Sequence, residues 1–264
     1  MSEASSVPVL DAGVVHAGIA DGVATVSFGH PKSNSLPGAL LAALAATITR
    51  MGEEPAARVI VLRSEGTGVF CAGASFDEFK AIRDAEGGRR FFSGFAQVVL
   101  AMLRTPKFII TRVQGKVAGG GVGLIAASDY ALAVEGADLK LSELALGIGP
   151  FVVGPVIERK IGLGAFSALA VDADWRNAAW GERHGLYAEV LDTPPALDVR
   201  VRDLAKKLAG YHPEAMRRLK QVFWEGTERW SELLSERAAI SGTLVMSDFT
   251  RKAIIGLKGL GTRD

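Results

Sequence analysis

The sequence predicts an α/β fold with a helical C-terminal region, and three observations carry that prediction. Short β-branched runs alternate with stretches of helical periodicity through the first 150 residues. After Pro150 the periodicity becomes mostly helical. No low-complexity linker or repeat divides the chain into independent domains. Alternation of this kind buries strands against helices in one core. Residues 1–200 are assigned to that core and residues 201–264 to the helical region.

The elements follow in order. Residues 14–19 and 23–28 flank Asp21-Gly22, a strong hairpin signal. His30-Pro31-Lys32-Ser33-Asn34-Ser35 breaks the pattern, and Asn34 or Ser35 is placed to cap a helix over 36–51. Pro37 sits near its start, where proline is tolerated. Residues 58–63 form a short buried strand, and 70–74 a second apolar run that leads into a loop. Residues 76–104 read as helix, with a break expected around Gly87-Gly88. Strands are expected at 107–113, 130–134 and 139–141, and a small-residue helix at 120–128. Beyond Pro150, helices are expected at 155–160, 165–171, 178–184, 197–208, 214–224 and 231–246, with a strand at 187–191. Residues 259–264 are expected to fray.

Composition narrows the function classes. At 264 residues the chain is long enough for one large core. Thirty Lys and Arg against 29 Asp and Glu leave a net charge of +1, which gives no general electrostatic attraction to nucleic acid or to a membrane surface. Cys71 is the single cysteine, which excludes an internal disulfide and fits a reducing compartment. Four scattered histidines show no ligand spacing, so no metal is expected. Residues 1–8 lack the basic and apolar regions of a secretory signal. No apolar run reaches the ~18 residues of a membrane span. A cytoplasmic location is expected.

The most informative stretch runs from 114 to 150. Gly119-Gly120-Gly121 opens an apolar helical run, and Glu143 follows some twenty positions later. Glycines at a helix start let backbone N–H groups approach an anion with no Cβ in the way. A nearby carboxylate can then move protons for whatever those groups polarise. Phe70-Cys71-Ala72-Gly73-Ala74 supplies a second loop of small residues. Two such loops and one acid suggest acyl chemistry through an enolate.

With these residues in view, the chain resembles the crotonase, or enoyl-CoA hydratase/isomerase, superfamily. The likeness extends from His30-Pro31-Lys32-Ser33-Asn34-Ser35-Leu36 to the helical tail. Its strongest parts are residues 70–74 and 114–121, joined by Ser128-Asp129-Tyr130 and by Ser142-Glu143 with Leu146-Gly147-Ile148-Gly149-Pro150. The resemblance implies a spiral of ββα repeats with a helical trimerisation region. It implies an acyl-CoA thioester substrate and a homotrimer or dimer of trimers. Coenzyme A enters as part of the substrate, and no metal, flavin or nicotinamide is implied.

Carried over residue by residue, the resemblance puts the thioester oxygen between the N–H groups of Ala74 and Gly120. Ala72 and Gly73 fall beside the substrate, and Glu143 becomes the acid/base. Lys32 is placed to meet CoA phosphates. Family hydratases commonly carry a second glutamate, and its position here is Gly123. One carboxylate suffices to shuttle a proton between carbons, which favours isomerisation. Residues 119–127, 141–143 and 155–162 instead resemble a bacterial methylglutaconyl-type hydratase subgroup with glycine at that same position. The expectation is hydration of a short or branched 2-enoyl-CoA. Double-bond isomerisation and a catalytically decayed acyl-CoA binder are the alternatives.

Plainer readings stand beside these. Glu143 fits the first turn of a short helix capped by Ser142. Gly119 to Gly121 fit close helix packing. Residues 121–126 also satisfy G-x-G-x-x-A, a weak dinucleotide signal with no strand running directly into it. Cys71 reads as a buried hydrophobe, and His30 and His184 as turn or surface residues. Phe151-Val152-Val153 brings bulk that narrows or reshapes the acyl pocket.

Overall fold

The computed structural model describes residues 13–257. Eight strands and ten helices lie among them. In chain order the strands are β1 (Val14–Ala20), β2 (Val23–Gly29), β3 (Val59–Ser64), β4 (Ile109–Val113), β5 (Val117–Ala118), β6 (Tyr130–Val134), β7 (Leu139–Lys140) and β8 (Glu189–Leu191). The hairpin forms as its turn residues require. Asp21 and Gly22 both take positive φ, 50° and 77°, the two-residue geometry whose twist matches antiparallel strands.

The main sheet runs β1-β2-β3-β4-β6-β8 and is parallel from β2 onward. Parallel strands are covered on both faces, so β4 is buried at every position despite reading I-I-T-R-V. A second, much smaller layer stands off this sheet. It pairs β5 with β7 and continues through single bridges between Cys71 and Val117, Leu139 and Arg176, and Leu36 and Ala74. Most turns of the chain give one strand to the main sheet and a short extended stretch to this second layer. That is the expected spiral of strand, strand and helix.

The helices are α1 (Gly38–Glu53), α2 (Phe76–Ala81), α3 (Ala85–Arg104), α4 (Gly120–Ala126), α5 (Gly154–Asp172), α6 (Ala178–Arg183), α7 (Pro194–Ala209), α8 (Pro213–Phe223), α9 (Trp230–Leu244) and α10 (Asp248–Leu257). α7 crosses residue 200 and lies along β2, β3, β4, β6 and β8, while α3 packs between α1 and α9. α8 is tied to the sheet by buried charge. Lys220 Nζ donates to Asp129 Oδ2 and to the Lys107 carbonyl, both at 2.8 Å, and Trp224 Nε1 donates to Asp129 Oδ1 at 3.1 Å. Burial lowers the Lys220 pKa and the Asp129 charge opposes that shift.

Several local expectations are corrected. Neither Asn34 nor Ser35 caps α1, whose N-cap is Pro37. Glu78 takes that role from a distance, its Oε2 accepting from the Gly38 N–H at 2.7 Å. Asn34 is used elsewhere: its amide donates to the Glu65 and Val69 carbonyls at 2.9 and 2.8 Å. The break between α2 and α3 falls before Ala85, not at Gly87-Gly88. Asp84 sets it by accepting from the Gly87 N–H at 2.6 Å. α10 is a helix that the sequence reading did not anticipate. The segments expected at 155–160 and 165–171 merge in α5 around Gly162, whose φ of 78° and ψ of 157° interrupt the helix. Residues 1–8 and 259–264, on which expectations about a leader and fraying were placed, lie outside the described residues.

Candidate active site

The two small-residue loops meet at the second layer. The Ala118 N–H donates to the Cys71 carbonyl at 2.8 Å, and the Gly119 N–H to the Lys140 carbonyl at 2.9 Å. The Leu36 N–H donates to the Gly73 carbonyl at 2.8 Å and the Ala72 N–H to the Ser33 carbonyl at 3.1 Å. These bonds consume most donors of the loops. Among the described residues, the N–H groups of Ala74 and Gly120 have no intramolecular acceptor. Gly73 brings them together: with φ at 87°, a Cβ built on it would lie 3.6 Å from the Gly120 nitrogen. No side chain fits there without crowding the Ala118 carbonyl, 3.1 Å from the same point.

Glycine is also required at the helix start. A Cβ on Gly120 would fall 2.5 Å from Phe95 Cδ1, and one on Gly121 would lie 2.8 Å from Cys71 Cβ. The packing reading of the triplet therefore holds alongside its polar one. Gly119, at φ 53°, faces the acid: its Cβ would sit 3.3 Å from Glu143 Oε1.

Glu143 precedes a single 3-10 turn at Leu144–Leu146, and Ser142 makes no side-chain cap. Part of the residue reaches solvent, but its Oε2 is sealed from water and has no hydrogen-bond partner. An unpartnered buried carboxylate oxygen is costly, so the proton is held more tightly. Burial raises the carboxyl pKa to about 7, opposed by the backbone N–H groups of Glu143 and Ser142.

One cavity of about 650 Å³ is lined by Ala72, Gly73, Ala74, Gly119, Gly120 and Glu143. Five of the six residues singled out from the sequence thus face a single space. Lys32 is not in that lining. It stands exposed in the turn whose Ser33 carbonyl holds the Ala72 loop, with its ammonium paired to Asp77. His184 also lies away from the cavity, stacked on Trp180 at 4.1 Å and bonded to the Trp180 carbonyl. Cys71 is buried, and burial pushes its thiol up to about 12, as suits a packing residue. The dinucleotide pattern does not fit. The strand before α4 has two residues and sits in the small layer, and Gly121 and Gly123 are spent on packing. Among the described residues, no three His, Cys, Asp or Glu side chains gather as metal ligands.

Comparison with known proteins bears on the family and the fold. The profile of the Enoyl-CoA hydratase/isomerase family matches residues 18–254. The chain belongs to that family. A curated relative, methylglutaconyl-CoA hydratase, mitochondrial, from Rattus norvegicus, is 31% identical over 199 residues, covering 74% of this chain. The match spans 63% of that relative's own length. The solved enoyl-CoA hydratase of Bacillus halodurans superposes with a TM-score of 0.84 at 20% identity, covering 92% of this chain and 99% of its own. That of Bacillus anthracis gives 0.75 at 26% identity, covering 95% and 98%.

For this enoyl-CoA hydratase/isomerase family member, sequence reading missed two parts of the site. One is a wall of phenylalanines, Phe76, Phe79, Phe91, Phe92 and Phe95. At helical spacing they read as ordinary core, and only the fold turns them to a cavity. The other is the partner of Gly123. A Cβ on Gly123 would lie 2.6 Å from Val153 Cβ, so Val153 fills the direction a side chain at 123 would take. Phe151, Val152 and Val153, the bulk noted from the sequence, all line the cavity. α10 completes the lining through Ala253.

Proposed function

We propose that this chain hydrates a 2-enoyl-CoA through an enolate. One observation carries the reading. The bare Oε2 of Glu143 shares a cavity with Ala74 and Gly120, whose two backbone N–H groups lack acceptors. In the proposed step the thioester oxygen accepts from both amides. Ionised Glu143 takes a proton from water as the water oxygen bonds to Cβ of the enoyl group. The electron pair of the double bond moves toward the thioester oxygen, and the amides hold the enolate. Glu143 then returns the proton to Cα, so water is added and the acid is regenerated. Each such amide donor contributes ~2.7–4 kcal/mol to transition-state stabilisation in other enzymes.

A second reading has its own support. Among the described residues Glu143 is the only acid lining the cavity, and a single acid suffices to move a proton between Cα and Cγ. Incubation with 2-enoyl-CoA and 3-enoyl-CoA substrates separates the two: hydration adds the mass of water, whereas isomerisation shifts the double bond at unchanged mass. Turnover by neither route, with thioester binding intact, would leave only a decayed binder. Self-association into a trimer or a dimer of trimers is part of the same proposal. Exposed Leu163 and Val171 on α5 and Leu219, Val222 and Phe223 on α8 supply apolar surface for it. Light scattering would test that assembly.

A further inference from the structure

Most of the phenylalanine wall belongs to a packing unit apart from the main core; Phe95 is part of the main core, and Phe92 packs against both. Phe79, Ile148, Val245 and Ile254 form a hydrophobic cluster separate from the main core, with Phe76, Phe91, Phe92 and Leu146 against it. The rings brace one another: Phe91 and Phe92 meet edge to face at 5.1 Å, and Phe79 lies 5.8 Å from Phe91 and 6.1 Å from Phe92. Braced rings keep their faces in place and resist collapse into the space beside them. The cavity therefore stays open at about 650 Å³, within the range of roughly 300–1,000 Å³ that takes drug-sized ligands. Phe76, Phe79, Phe91 and Phe92 line it alongside the Ala74 and Gly120 loops and offer an apolar wall to the acyl group.

Charge is scarce in this chamber. Among the described residues, the titratable side chains in its lining are Glu143 and Lys140. Lys140 is turned to other partners, 4.0 Å from Asp174 and over the Trp175 ring at 5.9 Å. A second carboxylate on the acyl group would lie among rings, with Lys140, already shared with Asp174 and Trp175, the one cation in the lining among the described residues, and it would face the charge of Glu143. Burial without a partner is what such a group cannot offset.

We infer that the chamber selects an uncharged acyl group much bulkier than butyryl, either a longer alkyl chain or one bearing an aryl ring, and rejects an acyl group that ends in a carboxylate. The inference rests on the proposed thioester reading and deepens it. It differs from the sequence expectation of a short or branched acyl group, and from the acid-bearing acyl group in the rat relative's name.

Calorimetry on the full chain tests it without turnover. The probes are butyryl-CoA, decanoyl-CoA, 3-phenylpropanoyl-CoA and glutaryl-CoA, with free CoA as reference. Decanoyl-CoA or 3-phenylpropanoyl-CoA should bind at least tenfold more tightly than butyryl-CoA, with glutaryl-CoA the weakest thioester. The tighter of the two identifies the alkyl or aryl source. Equal affinities, or glutaryl-CoA the tightest, would overturn the inference and leave the thioester reading standing. Binding of none of the four would overturn both. The Phe91→Ala variant adds a structural control, since the preference for the bulky thioester over butyryl-CoA should shrink severalfold.

Discussion

Val153 stands where a side chain on Gly123 would have to go. The residues lie thirty positions apart, on α4 and at the start of α5, and a Cβ on Gly123 would come within 2.6 Å of Val153 Cβ. Both are buried, so neither can give way to solvent. Gly123→Ala is expected to destabilise the fold by ~1–3 kcal/mol through overpacking. In a Val153→Gly background the same change should cost much less, because the Cβ and methyl groups that it would meet are gone. Denaturant unfolding of the two single variants and the double variant measures the coupling, expected at ~0.5–3 kcal/mol. Strict additivity of the two changes would contradict the contact.

Glu143 is expected to link activity and stability to pH. Its carboxyl is ordinary in the unfolded chain, at 4.5, and is raised by burial to about 7 in the fold. The sign follows from proton counts. Below 4.5 both states hold the proton and nothing is lost. Between 4.5 and 7 the unfolded chain has released its proton while the fold retains it, so stability falls as pH rises. Above 7 the loss is complete, at ~3 kcal/mol. Glu143→Gln should therefore unfold at higher denaturant than wild type at pH 8, and the difference should vanish near pH 4. The same substitution should lower kcat by ~10²–10⁴. A wild-type rate profile with no inflection near 7, or a stability gap that is flat with pH, would remove Glu143 from this role.

Lys220 and Asp129 form a buried pair, 2% and 4% exposed. Asp129 Oδ2 also accepts from the Ile109 N–H at 2.7 Å, so the carboxylate joins α8 to the start of β4. Lys220→Met strands that carboxylate among apolar groups and is expected to cost ~3–5 kcal/mol. Thermal or denaturant melts measure this directly. The double change Lys220→Met with Asp129→Asn should recover part of the loss, because the stranded carboxylate is then gone, while the nearby buried Lys160 loses the Asp129 charge that favours its own.

How far the sequence spoke depended on how local the cause was. Asp21-Gly22 announced its hairpin because two positive φ angles in succession suit few residues. Gly73, Gly120 and Glu143 were legible as a set because glycine at a loop tip or helix start signals backbone chemistry. The break ahead of α3 was misplaced because Gly87-Gly88 is a strong breaker signal, yet the Asp84 cap holds both glycines inside the helix. Asn34 looked like a cap and instead holds the 65–69 loop, a choice that only tertiary contact decides. Phe91 and Phe92 could not be told from core residues, and Val153 could not be matched to Gly123, because both facts depend on where distant helices come to rest.

The last described helix has a consequence of its own. Gly147, just past the turn that carries Glu143, lies so close to Phe249 and Thr250 that an added methyl would collide with both. Ala253, one turn further on, closes the far side of the chamber. This helix thus trims a room lined mainly by residues 72–153. Substitutions at positions 249–254 are accordingly expected to reshape this cavity while leaving the Ala74 and Gly120 loops in place.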